Sequence, residues 1–212
     1  MIENEGRLMK LRRLEMRLEE VDGFQTPSPA LEQYMTPAPL AARIVHHAFL
    51  AGDIEDLTVC DLGCGTGILG IGAALLGASR VDGYDCDKKA LEICSSNAQK
   101  FSTVLNCLHL KLEDEVPSLQ IHYDTVLMNP PFGAQNAHAD RPFIDCALAN
   151  ADVVYGIFNA GSIAFLERYT KKRATIRERF QAVIPLRRSF SFHTKEVCEI
   201  PVEVLIFDVL KK

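Results

Sequence analysis

The sequence predicts an α/β protein with a mostly parallel seven-stranded sheet that ends in a C-terminal antiparallel hairpin. Short apolar runs alternate with helical patterns from Leu57 to about Ala174, which is typical of parallel strands joined by right-handed crossovers. A glycine-rich turn, GCGTG, follows the first apolar run. Near the C-terminus only FHTKEVCEIP separates two apolar runs, and this is too short for a crossover helix.

Length and composition favour a single domain. The chain has 212 residues and a net charge of −5, with no apolar run near the roughly 20 residues that span a bilayer. We expect a core over 51–212 and an extension over 1–50 that packs on it. No secretory signal is visible, so we expect a soluble protein of the cytoplasm or the nucleus, without a membrane partner. Seven cysteines with no CxxC pair argue against a disulfide framework and a zinc ribbon, so no metal site is predicted.

The N-terminal extension is predicted to hold two helices. Leucines recur at helical spacing from Leu8 to Leu18, and Gly23 suits the end of that helix. A proline-punctuated stretch, TPSPALEQYMTPAP, cannot continue the helix. A second helix is predicted from Pro39 to about Leu50, because prolines are tolerated in a first helical turn.

The core segments follow from their periodicity. Apolar runs with β-branched residues predict the strands TVCDL, RVDGYD, VLNCLHL, HYDTVLM, DVVYGIF, FQAVIPL and VEVLIFDVL. Helical spacing of apolar residues predicts the helices ILGIGAALLG, KKALEICSSNAQKF, RPFIDCALANA and SIAFLERYTKKRA.

Basic residues cluster late in the chain despite the acidic total. They are Arg168, Lys171, Lys172, Arg173, Arg177, Arg179, Arg187 and Arg188, with Glu178 the one acidic residue among them. One interpretation is a solvated helix face. The other is a local patch that contacts phosphates.

The glycine turn is the first candidate ligand site. Gly63, Gly65 and Gly67 remove side chains where the backbone turns tightly and a ligand must come close, although a plain turn could use them too. Asp61, at the end of the strand, can face the cationic amino-acid end of S-adenosylmethionine, whereas it would repel the pyrophosphate of a dinucleotide. Asp85 ends the second strand and is placed to accept both ribose hydroxyls. We therefore predict S-adenosylmethionine as the cofactor.

The stretch LMNPPFG is the second candidate site. We expect it at the carboxyl end of the fourth strand, where strand order reverses and ligands of open α/β sheets bind. Pro130 and Pro131 hold an extended loop whose carbonyls point outward. The Asn129 oxygen and the Pro130 carbonyl can accept both hydrogens of a planar amine or amide, and Phe132 offers a stacking face. A strand-terminating turn would explain one proline but not the whole motif.

These residues together resemble the class I methyltransferases, which have a Rossmann-like fold, and within them the methyltransferase-like protein five family. The resemblance rests on DLGCGTG, GYD and NPPF, on VDGF with LEQY, and on RSFSFHTKE with PVEVLIF. It implies methylation of an adenine N6 in small-subunit ribosomal RNA. It also implies a small zinc-binding activator subunit that adds a strand to the sheet edge, for which VLNCLHL is a plausible place. Cover by the N-terminal helix is the alternative.

The resemblance also assigns site residues by position. The implied cofactor-binding residues are Gln33 and Thr36 at the methionine end, Gly63, Thr66 and Ile68 around the turn, and Asp85 on the ribose; Asp61 and Gly65 complete our predicted set. Residues 129–132 form the adenine site. Where such enzymes carry an acidic residue near the cofactor's adenine, this chain has Lys111 and Leu112, with Glu113 or Asp114 as substitutes in a shifted register.

Other functions fit parts of the pattern. A protein methyltransferase acting on a glutamine amide presents the same two hydrogens to Asn129, but the basic segment would then lack a purpose. A non-catalytic cofactor-binding scaffold would not need an intact NPPF. A DNA target is weaker because no recognition domain is appended. A target RNA adenine must be unpaired or flipped out to reach the site, with the basic segment holding flanking phosphates.

Overall fold

The computed structural model describes residues 9–112, 116–133, 138–187 and 197–211. Its strands are β1 (Thr58–Leu62), β2 (Arg80–Asp85), β3 (Asn106–His109), β4 (Tyr123–Met128), β5 (Ala151–Asn159), β6 (Ala174–Arg187) and β7 (Val197–Val209). Its α-helices are α1 (Leu11–Leu18), α2 (Ala38–Leu50), α3 (Ile68–Leu75), α4 (Lys88–Lys100), α5 (Arg141–Asn150) and α6 (Ile163–Thr170). None of these helices is long and apolar enough to cross a membrane.

The strands form one sheet in the order β3-β2-β1-β4-β5-β7-β6. Strands β1 to β5 are parallel, and β7 pairs antiparallel with β5 and β6. This confirms the predicted α/β fold with its C-terminal antiparallel hairpin. Strand order reverses between β1 and β4, so the carboxyl ends of these two strands meet where ligands bind in such sheets.

Helices cover both faces of the sheet. Along β5, Tyr155 and Ile157 belong to the hydrophobic cluster that includes residues of α1 to α4. Val154 and Phe158 belong to the cluster that includes residues of α5, as the alternation of side chains along a strand requires. The first helix packs against α2 and α3. Residues 1–8 of the predicted first helix lie outside the described chain.

Two predictions are wrong near the C-terminus. The helix expected through Ala174 ends at Thr170, and the strand expected from Phe180 begins at Ala174. The reason is strand pairing, since Ala174 is in register with Val209 of β7. Arg177 and Arg179 therefore lie on a strand, and a solvated helix face does not describe them.

Candidate active site

A cavity of about 300 Å³ opens at the carboxyl ends of β1, β2 and β4, and a smaller cavity adjoins it. We call them the large lobe and the small lobe. The residues that line both are Phe24, Tyr34, Gly63, Gly65 and Asn129. Asp85 lines the large lobe and Asp61 the small lobe. Asn129 therefore lies at the junction of two compartments, each with its own carboxylate.

The glycine turn is hydrogen-bonded to the end of β2 and packs closely against two aromatic rings. The amides of Gly63 and Cys64 donate to the Tyr84 carbonyl at 2.8 and 2.9 Å. A Cβ at Gly63 would stand 2.7 Å from the Phe143 ring, and one at Gly65 would stand 2.8 Å from the Phe24 ring. Both distances are shorter than carbon contacts allow, so any larger residue at either glycine displaces a ring that lines the cavity.

Gly67 has a structural role that can be measured. Its φ is +92°, and an added Cβ would lie 2.6 Å from the Cys94 Sγ. We expect Gly67→Ala to lower the free energy of unfolding by roughly 2–5 kcal/mol, from left-handed backbone strain and overpacking together. Gly52→Ala is the matched control, because Gly52 has φ +82° and nothing within 4 Å of the added Cβ. Urea unfolding that gives equal losses for both variants would contradict the overlap with Cys94.

The two carboxylates are fixed by backbone amides. The Asp61 Oδ2 accepts from the Gly70 amide at 2.7 Å, and Asp85 accepts from the amides of Gly65 and Asp87, each at 2.8 Å. Burial, together with the Asp85 charge, raises the pKa of Asp61 to about 7, although the Gly70 hydrogen bond acts in the opposite direction. Burial also raises the pKa of Asp85. Burial therefore destabilises the charged form of each carboxyl group. A bound cation or a pair of hydroxyl donors would stabilise that charged form.

Asp87, and not Asp85, is the N-cap of α4. Its side chain accepts from the Lys89 amide at 2.9 Å at the start of α4. Asp85 is therefore not needed as the helix cap.

Asn129 directly follows β4 and carries an unsatisfied acceptor. Its Nδ2 donates to the Thr36 Oγ1 at 3.0 Å, whereas its Oδ1 is buried and has no hydrogen-bond partner among the described residues. A buried amide oxygen without a partner costs free energy, so its retention calls for an explanation. A ligand that brings an N–H group to this oxygen supplies one.

Residues 28–36, which we call the strap, cross the cavity and hold the NPPF motif. The Glu32 carboxylate accepts from the Phe132 amide at 2.7 Å, and the Tyr34 ring lies 5.4 Å from the Phe132 ring. The Gln33 Nε2 donates to Asp87 at 2.8 Å. Glu32 and Tyr34 were not predicted as site residues, although both lie inside the LEQY block on which the resemblance rests.

The structure brings the predicted residues to the two lobes unevenly. Lining the small lobe are Thr36, Asp61, Thr66 and Ile68; lining the large lobe are Gln33, Asp85, Lys111, Leu112 and Pro131. Pro130 and Phe132 line neither lobe. Gln33 lines the large lobe, and its amide donates to Asp87. Its role at the methionine end of the cofactor, which is predicted for the small lobe, stays a prediction. Glu113 and Asp114 lie outside the described residues.

Comparison with known proteins gives consistent matches. A family model described as Ribosomal protein L11 methyltransferase (PrmA) matches residues 46–130. The chain is 36% identical to an uncharacterized protein of Methanocaldococcus jannaschii over 96% of each chain. It is 34% identical to the rRNA N(6)-adenosine-methyltransferase METTL5 of Danio rerio, over 94% of this chain and 99% of that protein.

A solved structure agrees with these relatives. The crystal structure of a candidate RNA methyltransferase from Pyrococcus horikoshii superposes with a TM-score of 0.86 and 34% identity. The match covers 96% of this chain and all of that one. The similarity therefore extends over the strap, the glycine turn and the C-terminal hairpin alike.

Proposed function

The chain belongs to the METTL5 family of rRNA N(6)-adenosine-methyltransferases, and from this membership we propose that it methylates an adenine N6 in small-subunit ribosomal RNA. The methyl donor is S-adenosylmethionine. The observation that carries the proposal is the unsatisfied Asn129 Oδ1 at the junction of the two lobes. A cytoplasmic or nuclear location is part of the same proposal.

The cofactor fits the residues present. Asp85 and the amide-lined glycine turn suit a ribose, and the buried Asp61 suits a cationic amino acid in the small lobe. The Thr66 hydroxyl, which has no hydrogen-bond partner in the described part of the chain, lies in the same lobe. When bound, S-adenosylmethionine supplies a methyl group activated by its sulfonium. We propose Asp61, Gly63, Gly65, Thr66 and Asp85 as the residues that hold it, with Thr36 and Ile68 beside them.

The NPPF motif prepares the acceptor nitrogen by position. Thr36 holds the Asn129 amide so that Oδ1 remains the free acceptor, and Glu32 fixes the Phe132 amide. We propose that the Asn129 oxygen accepts one amine hydrogen and that the Pro130 carbonyl, although Pro130 lines neither lobe, accepts the other. These two contacts turn the nitrogen lone pair out of conjugation with the base. S-adenosylmethionine bound beside Asp61 and Asp85 would supply the methyl group to this positioned nitrogen, which would lose one proton after the transfer. Positioning therefore supplies most of the catalysis, and no base is needed before attack.

The test is methyl transfer from labelled S-adenosylmethionine to unmodified total RNA and total protein, offered separately. The assays are run with and without a co-expressed activator subunit. Label in RNA that digests to N6-methyladenosine supports the proposal. Label in protein would move the enzyme to protein methylation, and the family model that matches residues 46–130 is itself described as a ribosomal protein methyltransferase. Cofactor binding without any transfer would indicate a scaffold.

The basic segment is proposed to hold RNA, but not all its members are free to do so. Arg173 pairs with Asp145 at 2.5 Å, and Arg177 pairs with Asp53 and Asp208. Lys171 and Lys172 are exposed, as are Arg168 and Arg179. The Arg187 side chain and Arg188 lie outside the described residues. Exposed cations near the end of α6 are therefore the better phosphate contacts.

We expect the double variant Lys171→Gln, Lys172→Gln to weaken RNA binding and to reduce its salt dependence by up to about 1.4 in the log–log slope. Cofactor affinity should not change. Lys10→Gln with Arg12→Gln is the matched control, since it removes two exposed cations at the start of α1, away from the basic segment. Fluorescence anisotropy with a labelled single-stranded RNA across a salt series measures the slope. Equal losses of RNA and cofactor affinity would contradict the assignment.

The activator subunit is also a proposal, and the position of β3 supports it. Among the described residues β3 lies at one edge of the sheet and pairs with β2, and the described part of the N-terminal helix packs on α2 and α3. The Leu110 amide donates to the main-chain carbonyl of Asp85 in β2. Because successive amides of a strand point to opposite sides, the amides of Cys107 and His109 point to the open edge. A partner strand can add there.

We expect His109→Pro to abolish co-purification with a co-expressed zinc-binding activator while the chain stays folded, because proline removes an outward N–H group. His109→Ala is the control, since it keeps the amide and removes the same exposed side chain. Pull-down followed by a thermal unfolding scan measures both properties. Retention of the partner by the proline variant would place the interface elsewhere.

A further inference from the structure

Two aromatic rings along α6 and the guanidinium of the first residue of α5 form a stack. Phe165 and Tyr169 lie one helical turn apart, with ring centroids 5.2 Å apart and planes inclined by 24°. The Arg141 guanidinium lies 5.2 Å from the Phe165 centroid and 5.7 Å from the Tyr169 centroid. All three side chains are partly exposed. We call this group the platform.

Among the described residues, the Arg141 side chain lacks the hydrogen-bond and ion-pair partners that other arginines have. Its Nε is buried without a hydrogen-bond partner, and no ion pair joins its guanidinium to a carboxylate of the described residues. The contrast is Arg173, which also lies over the Tyr169 ring, at 5.0 Å, but is paired with Asp145. A guanidinium offers five donors in a planar fork that matches phosphate. Arg141 therefore holds donors that a ligand can use.

The platform adjoins the candidate active site. Arg141 is the first residue of α5, and its neighbours Ala139 and Pro142 line the large lobe. On the other side, Asn159 at the end of β5 donates to the Phe132 carbonyl at 3.5 Å, shortly before α6 begins. When an RNA chain places its target base at Asn129, the neighbouring nucleotides therefore lie close to the platform.

We infer that the platform binds an unpaired nucleotide that flanks the target adenine, an inference that rests on the proposed function. The base stacks on Phe165 and Tyr169, and the adjoining phosphate binds Arg141. Aromatic side chains and arginine planes are the usual receptors of unstacked RNA bases. Exposed Arg168, Lys171 and Lys172 near the same helix end give the surface the charge that a phosphate backbone requires. A flat, sequence-tolerant contact of this kind would hold the substrate without choosing the adenine.

The first test is ultraviolet cross-linking of the full chain to unmodified, transcribed small-subunit ribosomal RNA. After nuclease and protease digestion, mass spectrometry identifies the peptides that carry nucleotides. We expect an adduct on the peptide that contains Phe165 and Tyr169. In methyl-transfer assays, Phe165→Leu should raise KM for RNA about tenfold at unchanged kcat and cofactor affinity, and Phe165→Trp should restore KM.

The control is a similar pair on the opposite face of the sheet. Phe180 is partly exposed and has the Arg43 guanidinium 4.1 Å above its ring, so Phe180→Leu removes a comparable cation–π contact without touching the platform. Arg141→Lys is a second variant that keeps the charge and loses the planar fork; it should raise KM for RNA as well. It serves where Phe165→Leu does not fold.

The outcomes separate the platform from the proposed function. RNA methylation with no adduct on α6 and an unchanged KM in the platform variants would overturn the platform alone. An adduct on α6 without RNA methylation would support the surface and count against the function. Loss of a partner protein, with RNA binding intact, would assign the platform to protein contact and overturn the inference.

Discussion

Replacing Asn129 with alanine is expected to lower kcat for methyl transfer at least about a hundredfold, a loss typical of removing one preorganised hydrogen-bonding group. The variant loses the buried Oδ1, which has no hydrogen-bond partner among the described residues, and with it one of the two acceptors for the amine. Without that acceptor the nitrogen lone pair stays delocalised into the base. Cofactor affinity should change little, since the predicted cofactor carboxylates, Asp61 and Asp85, do not depend on Asn129.

The matched variant is Asn129→Asp, which keeps an acceptor at the same place. Thr36, now the donor, can bond the new carboxylate through the hydroxyl that accepts from Asn129 in the native chain. We expect Asn129→Asp to retain more activity than Asn129→Ala. Single-turnover rates with labelled cofactor separate the chemical step from release, and calorimetry gives the affinity. An alanine variant within a few-fold of the native rate would remove Asn129 from the mechanism.

The features of this site that could be predicted from sequence are those formed by residues close together in the chain. Strand β1 coincides with the predicted strand TVCDL and β2 with RVDGYD, because each is a short stretch bounded by turn signals and helical patterns. The turn after β1 could be predicted from its three glycines, Gly63, Gly65 and Gly67. The position of NPPF beside the glycine turn then follows from the crossover rules for parallel sheets.

The contacts that align the site could not be predicted in the same way. Glu32 accepts a hydrogen bond from the Phe132 amide, 100 residues further along the chain. Thr36 accepts one from Asn129, 93 residues further along. No local periodicity encodes such a pair. The start of β6 was missed for a related reason, since the charged run from Thr175 to Arg179 becomes a strand by pairing with β7. Local propensity gives the elements, and the partners across the sheet decide their ends.

Cofactor affinity is expected to rise with pH, by roughly tenfold per unit below pH 7. The cause is Asp61, whose pKa burial raises to about 7 in the free protein. Below that pH the carboxyl is mostly protonated and neutral, so a cationic amino acid finds no counter-charge in the small lobe. Binding must then expel the proton. Above pH 7 the carboxylate is already charged, and the affinity should level off.

Calorimetry between pH 5 and 7.5 measures this linkage, in pairs of buffers that differ in ionisation enthalpy. At pH 6 the observed heat should show release of nearly one proton per bound cofactor, since most of the Asp61 carboxyl is protonated there. Asp61→Asn cannot ionise, so it should bind more weakly at pH 7.5, and its affinity should vary little over this range. The hydrogen bond from Gly70 can persist in that variant through the amide oxygen, which preserves the turn. A native protein whose affinity is flat from pH 5 to 7.5 would show that Asp61 does not face the charged end of the cofactor.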